Sequence, residues 1–456
     1  MLLFREEETA HLHRFQEHPQ KKAMAIYGRR RTGKTELVLN FIAGAGRDLS
    51  VYYQCTSLDY QMCLSDFLQT LRSSCPGEVI PDFSSFRETF QYLSRIKFRR
   101  PMIIIDEFPF LAKKNDNAAT EFQWIIDHAL DGLKLILLGS SLSFMKNQLS
   151  NREAPLYGRF DEIIEIKPFS FRNIRVLFPN FEDAVTVYAA TGGVAQYVMF
   201  FREFASVEAA MDALFFDKNG RLFQEAGNML LQELREPAIY TAILRAIGSG
   251  QKRSGQIAKL CGMDQRAVYP YLNRLIDLGF LGTMENLLSK KQTEKRYVIT
   301  DMLFRFTYTF IEPHVSMITA LGTEAKPYVL GNRFDEYLGF VYEDIIRSTC
   351  WHYALAGKIP FMPQSVGKWW GNVQIDGVWQ ESEIDLAAIG EKDILLGECK
   401  YRTKAIGLKE LELLRCKAQS IPAGGRRVRY LLAGRSGFTD ELLRAAGEDV
   451  ILIDQA

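Results

Sequence analysis

The stretch from Gly28 to Thr35, Gly-Arg-Arg-Arg-Thr-Gly-Lys-Thr, is the most specific chemical pattern in the chain. It matches G-x-x-x-x-G-K-[ST], a loop that leaves a strand and opens a helix. The two glycines let the backbone turn so that its N–H groups point inward and hold phosphate oxygens. Lys34 is expected to reach the β- and γ-phosphates, and the Thr35 hydroxyl to ligate Mg²⁺. The pattern predicts an ATP site whose loop residues are Gly28, Arg29, Arg30, Arg31, Thr32, Gly33, Lys34 and Thr35.

A short apolar run, Met102-Ile-Ile-Ile, ends in two carboxylates, Asp106 and Glu107. This is the form of a central parallel strand that reaches the edge of the sheet where ligands bind. Asp106 is expected to bind Mg²⁺ through water, and Glu107 to polarise the water that attacks the γ-phosphate. Downstream of a phosphate-binding loop, the pair predicts the second half of an ATP-hydrolysing site.

The next apolar strand, Lys134–Gly139, is followed by Ser140 and Ser141. These hydroxyls either sense the γ-phosphate by hydrogen bonding or cap the next helix. Arg159 precedes a further strand at 162–167 and has two interpretations. It is either a finger on the γ-phosphate of its own or a neighbouring subunit, or a partner in a surface salt bridge. Both serines are therefore nucleotide-binding candidates, and Arg159 is a catalytic candidate.

Six stretches of the chain resemble the archaeal-type ATPase family, a branch of the AAA+/STAND-like P-loop ATPases. They are Phe4-Arg-Glu-Glu-Glu8, Tyr27–Thr35, Ile105-Asp-Glu107, Gly139-Ser-Ser141, Leu156-Tyr-Gly-Arg159 and Thr191-Gly-Gly-Val-Ala195. The resemblance covers essentially the whole chain. It implies an ATPase core and, as in several members, a C-terminal domain similar to restriction endonucleases. One departure is Ala195, which stands where family members often have a proline in the nucleotide lid.

Apolar strands at about 22–27, 49–54, 101–106, 134–139 and 162–167 alternate with helical patterns. This alternation predicts a doubly wound parallel sheet. The segment that follows is helical and rich in aromatic residues, and Thr191-Gly-Gly193 interrupts it. We expect this segment to form a lid over the nucleotide.

A third region predicts three helices followed by a small hairpin, which is the order of elements in a winged helix. The helices are expected at 238–247, 254–261 and 264–278, and the strands at 279–282 and 296–301. Pro270 is expected to kink the third helix or to delay its start. The inner face of that helix is assigned to Ala267, Val268, Tyr271, Leu272, Leu275 and Ile276.

Local charge in two segments suits contact with phosphate. Nine Lys or Arg oppose four Asp or Glu between positions 252 and 300, and ten Lys or Arg oppose three Glu between positions 398 and 435. Such surfaces bind a nucleic-acid backbone. The alternatives are that the winged helix acts as a clamp between domains, and that the second segment is a solvated helix face.

A second chemical constellation lies near the C-terminus. The stretch 381–389 alternates like a strand, and the next predicted strand, 393–401, contains Glu398 and Lys400. Because side chains alternate along a strand, these two project from one face, where Asp385 on the hairpin partner can meet them. Two carboxylates beside an ammonium predict a site for Mg²⁺ or Mn²⁺ that activates water.

The pattern Asp385…Glu398-x-Lys400 resembles the PD-(D/E)xK nuclease motif. In that interpretation Asp385, Glu398 and the Cys399 carbonyl hold the metal, and Lys400 orients water or neutralises developing charge. Glu343, in a predicted helix that enters the same domain, resembles the acidic residue that often completes such sites. Two possibilities stay open, namely an intact metal site and an inactive nuclease fold retained for binding.

Composition limits the class of protein. With 456 residues, 47% of them apolar, the chain can form about two to four packed domains. The net charge of +1 means that any surface for nucleic acid or membrane must be local. Seven cysteines without a C-x-x-C pair or zinc spacing suit a reducing cytoplasm. The sequence shows neither a signal peptide nor an apolar stretch of ~20 residues, so we expect a cytoplasmic protein without a membrane partner.

These patterns predict an α/β protein with a doubly wound P-loop sheet, a helical lid, a winged helix and an α/β restriction-endonuclease-like domain. The expected boundaries are 1–167 for the ATPase core, 168–235 for the lid, 236–312 for the winged helix, 313–330 for a connector of low regularity and 331–456 for the nuclease-like domain.

Two functions of different class are consistent with these residues. The first is an ATPase that couples its nucleotide state to DNA binding and metal-dependent DNA cleavage. The second is a nucleotide-dependent regulatory switch whose nuclease-like domain is inactive and only binds. Both require ATP and Mg²⁺ and predict DNA as a partner, and a homo-oligomer would allow Arg159 to act between subunits.

Overall fold

A computed structural model describes residues 3–46, 48–56, 59–112, 117–288 and 295–455. The chain divides into two compact units. The first comprises residues 1–170 and 194–199, and the second comprises residues 171–193 and 200–456. None of the helices in the described ranges has the length and apolar character needed to cross a membrane.

The first unit is built on a parallel sheet of five strands in the order β2-β3-β4-β1-β5. The predicted doubly wound sheet is therefore confirmed. Its strands are β1 (Ala23–Gly28), β2 (Ser50–Gln54), β3 (Met102–Asp106), β4 (Lys134–Gly139) and β5 (Glu162–Ile166). Because the strands are parallel, the residues that follow β1, β3 and β4 emerge at one edge.

Helices cover both faces of this sheet. They are α1 (Glu6–Glu17), α2 (Lys34–Phe41), α3 (Tyr60–Ser74), α4 (Phe86–Arg95), α5 (Phe108–Ala112), α6 (Ala118–His128) and α7 (Leu142–Ser150). Alternate residues of β3 enter different cores: Ile103 and Ile105 join one apolar cluster, and Ile104 joins the other. A strand buried on both faces explains why β3 is continuously apolar.

The predicted lid segment is helical. It contains α8 (Phe171–Leu177), α9 (Phe181–Thr191), α10 (Ala195–Phe201), α11 (Val207–Phe215) and α12 (Glu225–Glu233). Helix α9 ends at Gly192, which has a φ of 60°. Glycine adopts this left-handed conformation at little cost, so the predicted interruption at Thr191-Gly-Gly193 is the end of a helix.

The region predicted as a winged helix contains the expected elements in the expected order. They are α13 (Pro237–Gly248), α14 (Ser254–Leu260), α15 (Gln265–Asp277) and the antiparallel strands β6 (Leu281–Met284) and β7 (Arg296–Ile299). Lys290, Lys291 and Glu294, which contribute to the predicted charge of this region, lie outside the described residues.

Two details of α15 differ from expectation. Pro270 lies inside the helix and does not delay its start, which is at Gln265. Ala267, assigned to the inner face, is exposed. The buried face consists of Val268, Leu272 and Leu275, whose spacing of four and three residues defines one stripe of a helix that leaves position 267 to the side.

The connector predicted to have low regularity is helical. After α16 (Met302–Phe306), a wide turn at 307–311 and a tight turn at 312–314 lead into α17 (Val315–Leu321) and α18 (Lys326–Leu330). Pro313 and Pro327 lie in the first turns of helical segments. Proline is compatible with that position because no intrahelical N–H bond is required there, so it is not a sign of irregular structure here.

The C-terminal part contains a mixed sheet in the order β12-β11-β10-β9-β8. Strands β8 to β10 are antiparallel neighbours, and β10 to β12 are parallel. The elements are α19 (Arg333–Leu355), β8 (Ser365–Ile375), β9 (Val378–Ile389), β10 (Asp393–Lys400), α20 (Leu408–Gln419), β11 (Arg427–Gly434), α21 (Asp440–Ala445) and β12 (Val450–Asp454). The predicted hairpin that carries Asp385, Glu398 and Lys400 is thus confirmed as β9 and β10.

The segment after β6 adds to the edge of this sheet. The Leu287 N–H donates to the Lys368 carbonyl of β8 at 3.0 Å, and Asn286 forms a parallel bridge with Lys368. Arg296 of β7 forms an ion pair with Glu383 of β9 at 2.6 Å. These contacts hold the hairpin region against the two strands that flank the second candidate site.

Candidate functional site

The phosphate-binding loop joins β1 to α2. Two of its residues have positive φ angles, 67° at Arg31 and 91° at Gly33. Positive φ angles are uncommon in residues other than glycine. Turns that contain them can form concave arrays of backbone N–H groups that bind anions. The loop also passes close to β5, because a Cβ added at Gly28 would lie 2.4 Å from the Ile166 carbonyl oxygen. Only glycine fits at that position.

The Lys34 ammonium is folded back over the loop. Its Nζ donates to the carbonyl oxygens of Gly28 at 2.9 Å and Arg29 at 2.8 Å. Burial lowers the pKa of Lys34 to about 8, and the nearby Glu107 and Asp106 carboxylates oppose that effect. A buried cation whose partners are neutral carbonyls is available to an anion that enters the loop.

Asp106, at the end of β3, is fully buried and joins three elements. Its Oδ2 accepts hydrogen bonds from the Thr35 hydroxyl at 2.7 Å and from the Tyr52 hydroxyl at 2.8 Å. Its Oδ1 accepts the Glu107 N–H at 2.8 Å. The predicted Thr35–Asp106 pair is therefore in direct contact, and its carboxylate is fixed from both sides.

Tyr52 is a residue that the sequence does not single out. It lies on β2, next to β3, and is half-buried. Burial and the Asp106 charge raise the pKa of its hydroxyl, which keeps the hydroxyl protonated as a donor. The adjacent Tyr53 points to the other face, where its hydroxyl donates to the Cys63 carbonyl. Strand alternation puts the two tyrosines on opposite faces of the sheet. Which of them reaches Asp106 follows only from the pairing of β2 with β3.

Glu107 has a φ of 54°, an uncommon conformation for a residue with a side chain. Its Oε2 accepts a hydrogen bond from the Ser140 hydroxyl at 2.7 Å. Ser141 occupies the position before α7, but its side chain makes no capping bond, and its buried Oγ has no hydrogen-bond partner among the residues that the structure describes. Ser140 is thus linked to the predicted catalytic carboxylate, and capping by Ser141 does not occur.

Arg159 lies far from the loop. It precedes β5 at Glu162, which pairs with Met24 at the start of β1, whereas the loop leaves the end of β1. At 3.3 Å per residue, these edges are roughly 13 Å apart. Arg159 forms an ion pair with Asp127 at 3.1 Å. Arg159 and the loop thus lie at opposite edges of the sheet, and the contact that the structure gives the guanidinium is with Asp127.

Arg5 is a second residue whose role the sequence does not reveal. It is 6% exposed, and its guanidinium donates to the carbonyl oxygens of Thr32 at 3.0 Å and Lys167 at 2.7 Å. It also pairs with Glu8 at 3.0 Å. Arg5 thus links the phosphate-binding loop to the end of β5. It belongs to the Phe4–Glu8 stretch, but a charged N-terminal motif does not indicate which carbonyls it binds.

The start of α10 also contacts the loop. The Gln196 N–H donates to the Arg31 carbonyl at 3.1 Å, and the Arg31 guanidinium lies 5.6 Å from the Tyr197 ring centre. Ala195 therefore begins a helix whose next two residues make the contacts.

These residues fit Mg²⁺-ATP. The positive φ angles of the loop are those of turns that bind anions through backbone N–H groups, and the buried Lys34 ammonium faces this turn. Beside it, the Thr35 hydroxyl contacts the Asp106 carboxylate, and both are oxygen ligands suited to Mg²⁺. The unpartnered Ser141 hydroxyl lies in the segment that leaves the same edge. Arg29 and Arg30 belong to the same loop: the Arg29 carbonyl also accepts the Thr32 hydroxyl at 2.7 Å, and besides burial the charge of Arg30 contributes to the lowered pKa of Lys34.

The second constellation comes together as predicted in space. The Cys399 N–H donates to Asp385 Oδ2 at 2.9 Å, and Lys400 Nζ lies 2.6 Å from Glu398 Oε1. Burial, together with the charges of Glu343 and Glu398, raises the pKa of Asp385 to about 7. The Cys399 side chain is buried, as the strand alternation predicts.

This constellation does not fit a metal ion as it stands. Within the described ranges, no group of three or more His, Cys, Asp or Glu side chains is spaced to hold one. Glu398 pairs with Lys417 as well as with Lys400, and Glu343 pairs with Lys368 and Arg347. Cations therefore lie against the carboxylates predicted as ligands.

Two family models match separate parts of the chain. Residues 3–201 match a family described as an ATPase domain predominantly from Archaea. Residues 307–413 match a family described as archaeal and bacterial proteins of unknown function. The chain thus joins an archaeal-type ATPase domain to a C-terminal domain of that second family, which confirms the resemblance seen in the sequence.

Individual proteins show more distant likeness. Uncharacterized protein MJECL04 of Methanocaldococcus jannaschii is 29% identical over 414 residues, and the match covers 88% of this chain and 88% of that one. The Aeropyrum pernix ORC2 protein is 13% identical, with a TM-score of 0.45 over 72% of this chain and 96% of that one. The STAND protein PH0952 of Pyrococcus horikoshii is 15% identical, with a TM-score of 0.32 over 78% and 50%.

Replacing Arg5 with Leu should weaken both the fold and nucleotide binding. The substitution leaves the Thr32 and Lys167 carbonyls without their donor, at a cost of about 1–3 kcal/mol in the free energy of unfolding. Urea unfolding and calorimetric ATP titration measure the two effects. Arg14→Leu, at an exposed position of α1, is the matched control. Equal behaviour of the two variants would contradict the assigned role of Arg5.

Tyr52→Phe removes one donor to Asp106 and keeps the ring. We expect the Mg²⁺ concentration for half-maximal nucleotide binding to rise about tenfold, because a hydrogen bond to a charged group contributes about 1.5 kcal/mol. Calorimetric titration of ATP at several Mg²⁺ concentrations tests this. Tyr53→Phe, which removes a hydroxyl that donates to the Cys63 carbonyl, should leave the Mg²⁺ dependence unchanged.

Proposed function

We propose that this protein binds and hydrolyses ATP with Mg²⁺ at the edge formed by β1, β3 and β4. The observation that carries the proposal is the shared contact at Asp106. There the Thr35 hydroxyl, which follows the loop lysine, donates to the Asp106 carboxylate at 2.7 Å, and the N–H of Glu107, the next residue after β3, donates to it at 2.8 Å. A phosphate-binding loop alone can bind nucleotide. Hydrolysis also needs an acid that holds Mg²⁺, here Asp106, and a second carboxylate that orients water, here Glu107.

Each residue has a role that follows from its position. Lys34 exchanges its two carbonyl partners for phosphate oxygens, and Thr35 and Asp106 hold Mg²⁺. Glu107 orients water, and its hydrogen bond to Ser140 sets the direction of the carboxylate. Bound ATP would supply the phosphoryl group, and Mg²⁺ would supply the positive charge that offsets the negative charge of the phosphates.

Arg159 is proposed to act only between subunits. Its separation from the loop excludes its own nucleotide, while its partly exposed ion pair with Asp127 can open at modest cost because such surface pairs are weak. This role requires a homo-oligomer. The salt bridge with Asp127 is the alternative role.

We further propose that the nucleotide state controls DNA binding and metal-dependent DNA cleavage by the C-terminal part. Support comes from the juxtaposition of Asp385, Glu398 and Lys400 on two paired strands. The second candidate is a nucleotide-dependent switch with an inactive nuclease-like domain, which the cation-paired carboxylates favour. DNA is the expected partner in both cases.

Lys34→Ala should abolish ATP hydrolysis, because it removes the phosphate-binding ammonium. Glu107→Gln should slow turnover by about 10²- to 10⁴-fold while leaving ATP affinity nearly intact, since it removes only the group that activates water. Phosphate release and calorimetry measure the two quantities. Glu36→Gln, an exposed change on α2, is the control. Unchanged turnover in both site variants would mean that the ATP site is misassigned.

The wild type with ATP and Mg²⁺ or Mn²⁺ should cut at least one of linear, supercoiled, single-stranded or branched DNA. Asp385→Ala and Lys400→Met should remove cleavage, because each deletes a group at the reacting centre. Gel analysis of the four substrates is the measurement, and Glu412→Ala on the exposed side of α20 is the control.

The switch alternative predicts a different pattern. DNA affinity, measured by fluorescence anisotropy, should then change between the ATP and ADP states, and Asp385→Ala should bind as the wild type does. Absence of cleavage together with this pattern would replace the nuclease proposal with the switch.

A further inference from the structure

Apart from its glycines, Arg31 is the residue of the phosphate-binding loop that has a left-handed backbone, with a φ of 67°. A residue with a side chain adopts this conformation at a cost in free energy, and keeps it where the surrounding contacts compensate. Glycine would avoid the cost, because it has no Cβ. The conformation of Arg31 therefore needs contacts that hold it.

Two consecutive residues of α10 supply such contacts. The Gln196 N–H donates to the Arg31 carbonyl at 3.1 Å, and Arg31 Nη1 donates to Gln196 Oε1 at 3.3 Å. The Arg31 guanidinium also lies 5.6 Å from the centre of the Tyr197 ring, a distance at which a cation is attracted to an aromatic face. Because Tyr197 is buried, this ring is a fixed support. Helix α10 thus holds both the backbone and the side chain of Arg31.

The bond from the Gln196 N–H serves the helix as well as the loop. Gln196 is the second residue of α10, and the N–H groups of the first turn of a helix have no acceptor within the helix. The Arg31 carbonyl is the acceptor here. The docking of α10 and the conformation of the loop therefore stabilise each other.

Helix α10 lies where the chain passes between the two compact units. Residues 194–199 belong to the first unit, and the residues on either side of them belong to the second. The chain reaches α10 through Gly192 and Gly193, which have φ angles of 60° and 76°. Residues at the ends of elements can absorb changes in φ and ψ when a segment moves. A change in the docking of α10 can therefore be passed along the chain to the second unit.

We propose that α10 positions the phosphate-binding loop through Arg31, and that bound ATP and docked α10 strengthen each other. The left-handed Arg31 helps to turn the loop N–H groups inward, so α10 and a triphosphate favour the same loop conformation. Two partners that favour one conformation increase each other's affinity by the same factor. The inference rests on the proposed ATP site and adds a way for the nucleotide state to reach the second unit.

The first test is a calorimetric titration of the full chain with Mg²⁺ and a non-hydrolysable ATP analogue. In Gln196→Pro the proline is compatible with the first turn of a helix but has no N–H to donate to Arg31. We expect the dissociation constant to rise about 2- to 10-fold, the effect of one hydrogen bond between neutral groups. Ala195→Pro makes the same change one residue earlier and keeps the Gln196 N–H, so it should bind as the wild type does.

A double-variant cycle tests whether Arg31 carries the effect. Arg31→Gly removes both the cost of the left-handed conformation and the guanidinium, so the loop no longer depends on α10. Adding Gln196→Pro to Arg31→Gly should then leave the dissociation constant unchanged. A general disruption of α10 by proline would instead weaken binding equally in both backgrounds.

Hydrogen exchange measures the reciprocal effect on the helix. In the wild type, the amides of residues 197–201 should exchange more slowly when the analogue and Mg²⁺ are bound, because a filled loop favours docked α10. In Gln196→Pro this slowing should shrink. The measurement on the wild type needs no variant that must fold.

The outcomes separate this inference from the proposed ATP site. If neither the wild type nor Ala195→Pro binds the analogue, both proposals fail. If both bind it, three results would overturn only the role of α10. They are unchanged binding in Gln196→Pro, an equal loss in the Arg31→Gly background, and exchange at 197–201 that ignores the analogue. A loss that disappears with Arg31→Gly supports the inference.

Discussion

The buried carboxylate of Asp106 is the interaction on which the nucleotide site depends. A carboxylate without exposed surface must have its charge satisfied by donors, and Asp106 obtains them from Thr35, from Tyr52 and from the Glu107 N–H. These donors belong to α2, to β2 and to the turn after β3. A single acid on β3 therefore ties the start of α2, which follows the loop, to β2 and to the turn after β3, and any shift of these elements would leave a buried charge unpaired.

The two candidate sites satisfy the charge of their carboxylates with different kinds of partner. In the N-terminal unit, neutral hydroxyls and a backbone amide satisfy the acid, so a cation can approach without displacing another cation. In the C-terminal site, lysines satisfy Glu343 and Glu398. The first arrangement leaves the acid free of cationic partners, whereas the second already pairs its carboxylates with cations. This contrast explains why one constellation fits its cofactor as it stands and the other does not.

The sequence predicts the parts that depend on local pattern. Continuous apolar runs, glycine spacing and strand alternation are properties of neighbouring residues, so the parallel sheet, the loop and the hairpin of Asp385 and Glu398 could be predicted. The roles of Arg5, Tyr52 and Lys417 could not, because each contacts a partner on another element. Arg159 shows another limit of the sequence: a position just before a strand suggests a nucleotide contact, but parallel strands place their starts and their ends at different edges, so the choice between its own and a neighbouring subunit depends on the fold.

The most direct test of the central claim is a crystal structure of the chain with Mg²⁺ and a non-hydrolysable ATP analogue. We predict that the triphosphate lies in the 28–35 loop, that Lys34 Nζ leaves the Gly28 and Arg29 carbonyls for phosphate oxygens, and that the metal lies beside Thr35 and Asp106. A nucleotide bound elsewhere, or a Lys34 that keeps both carbonyl bonds with nucleotide present, would contradict the account.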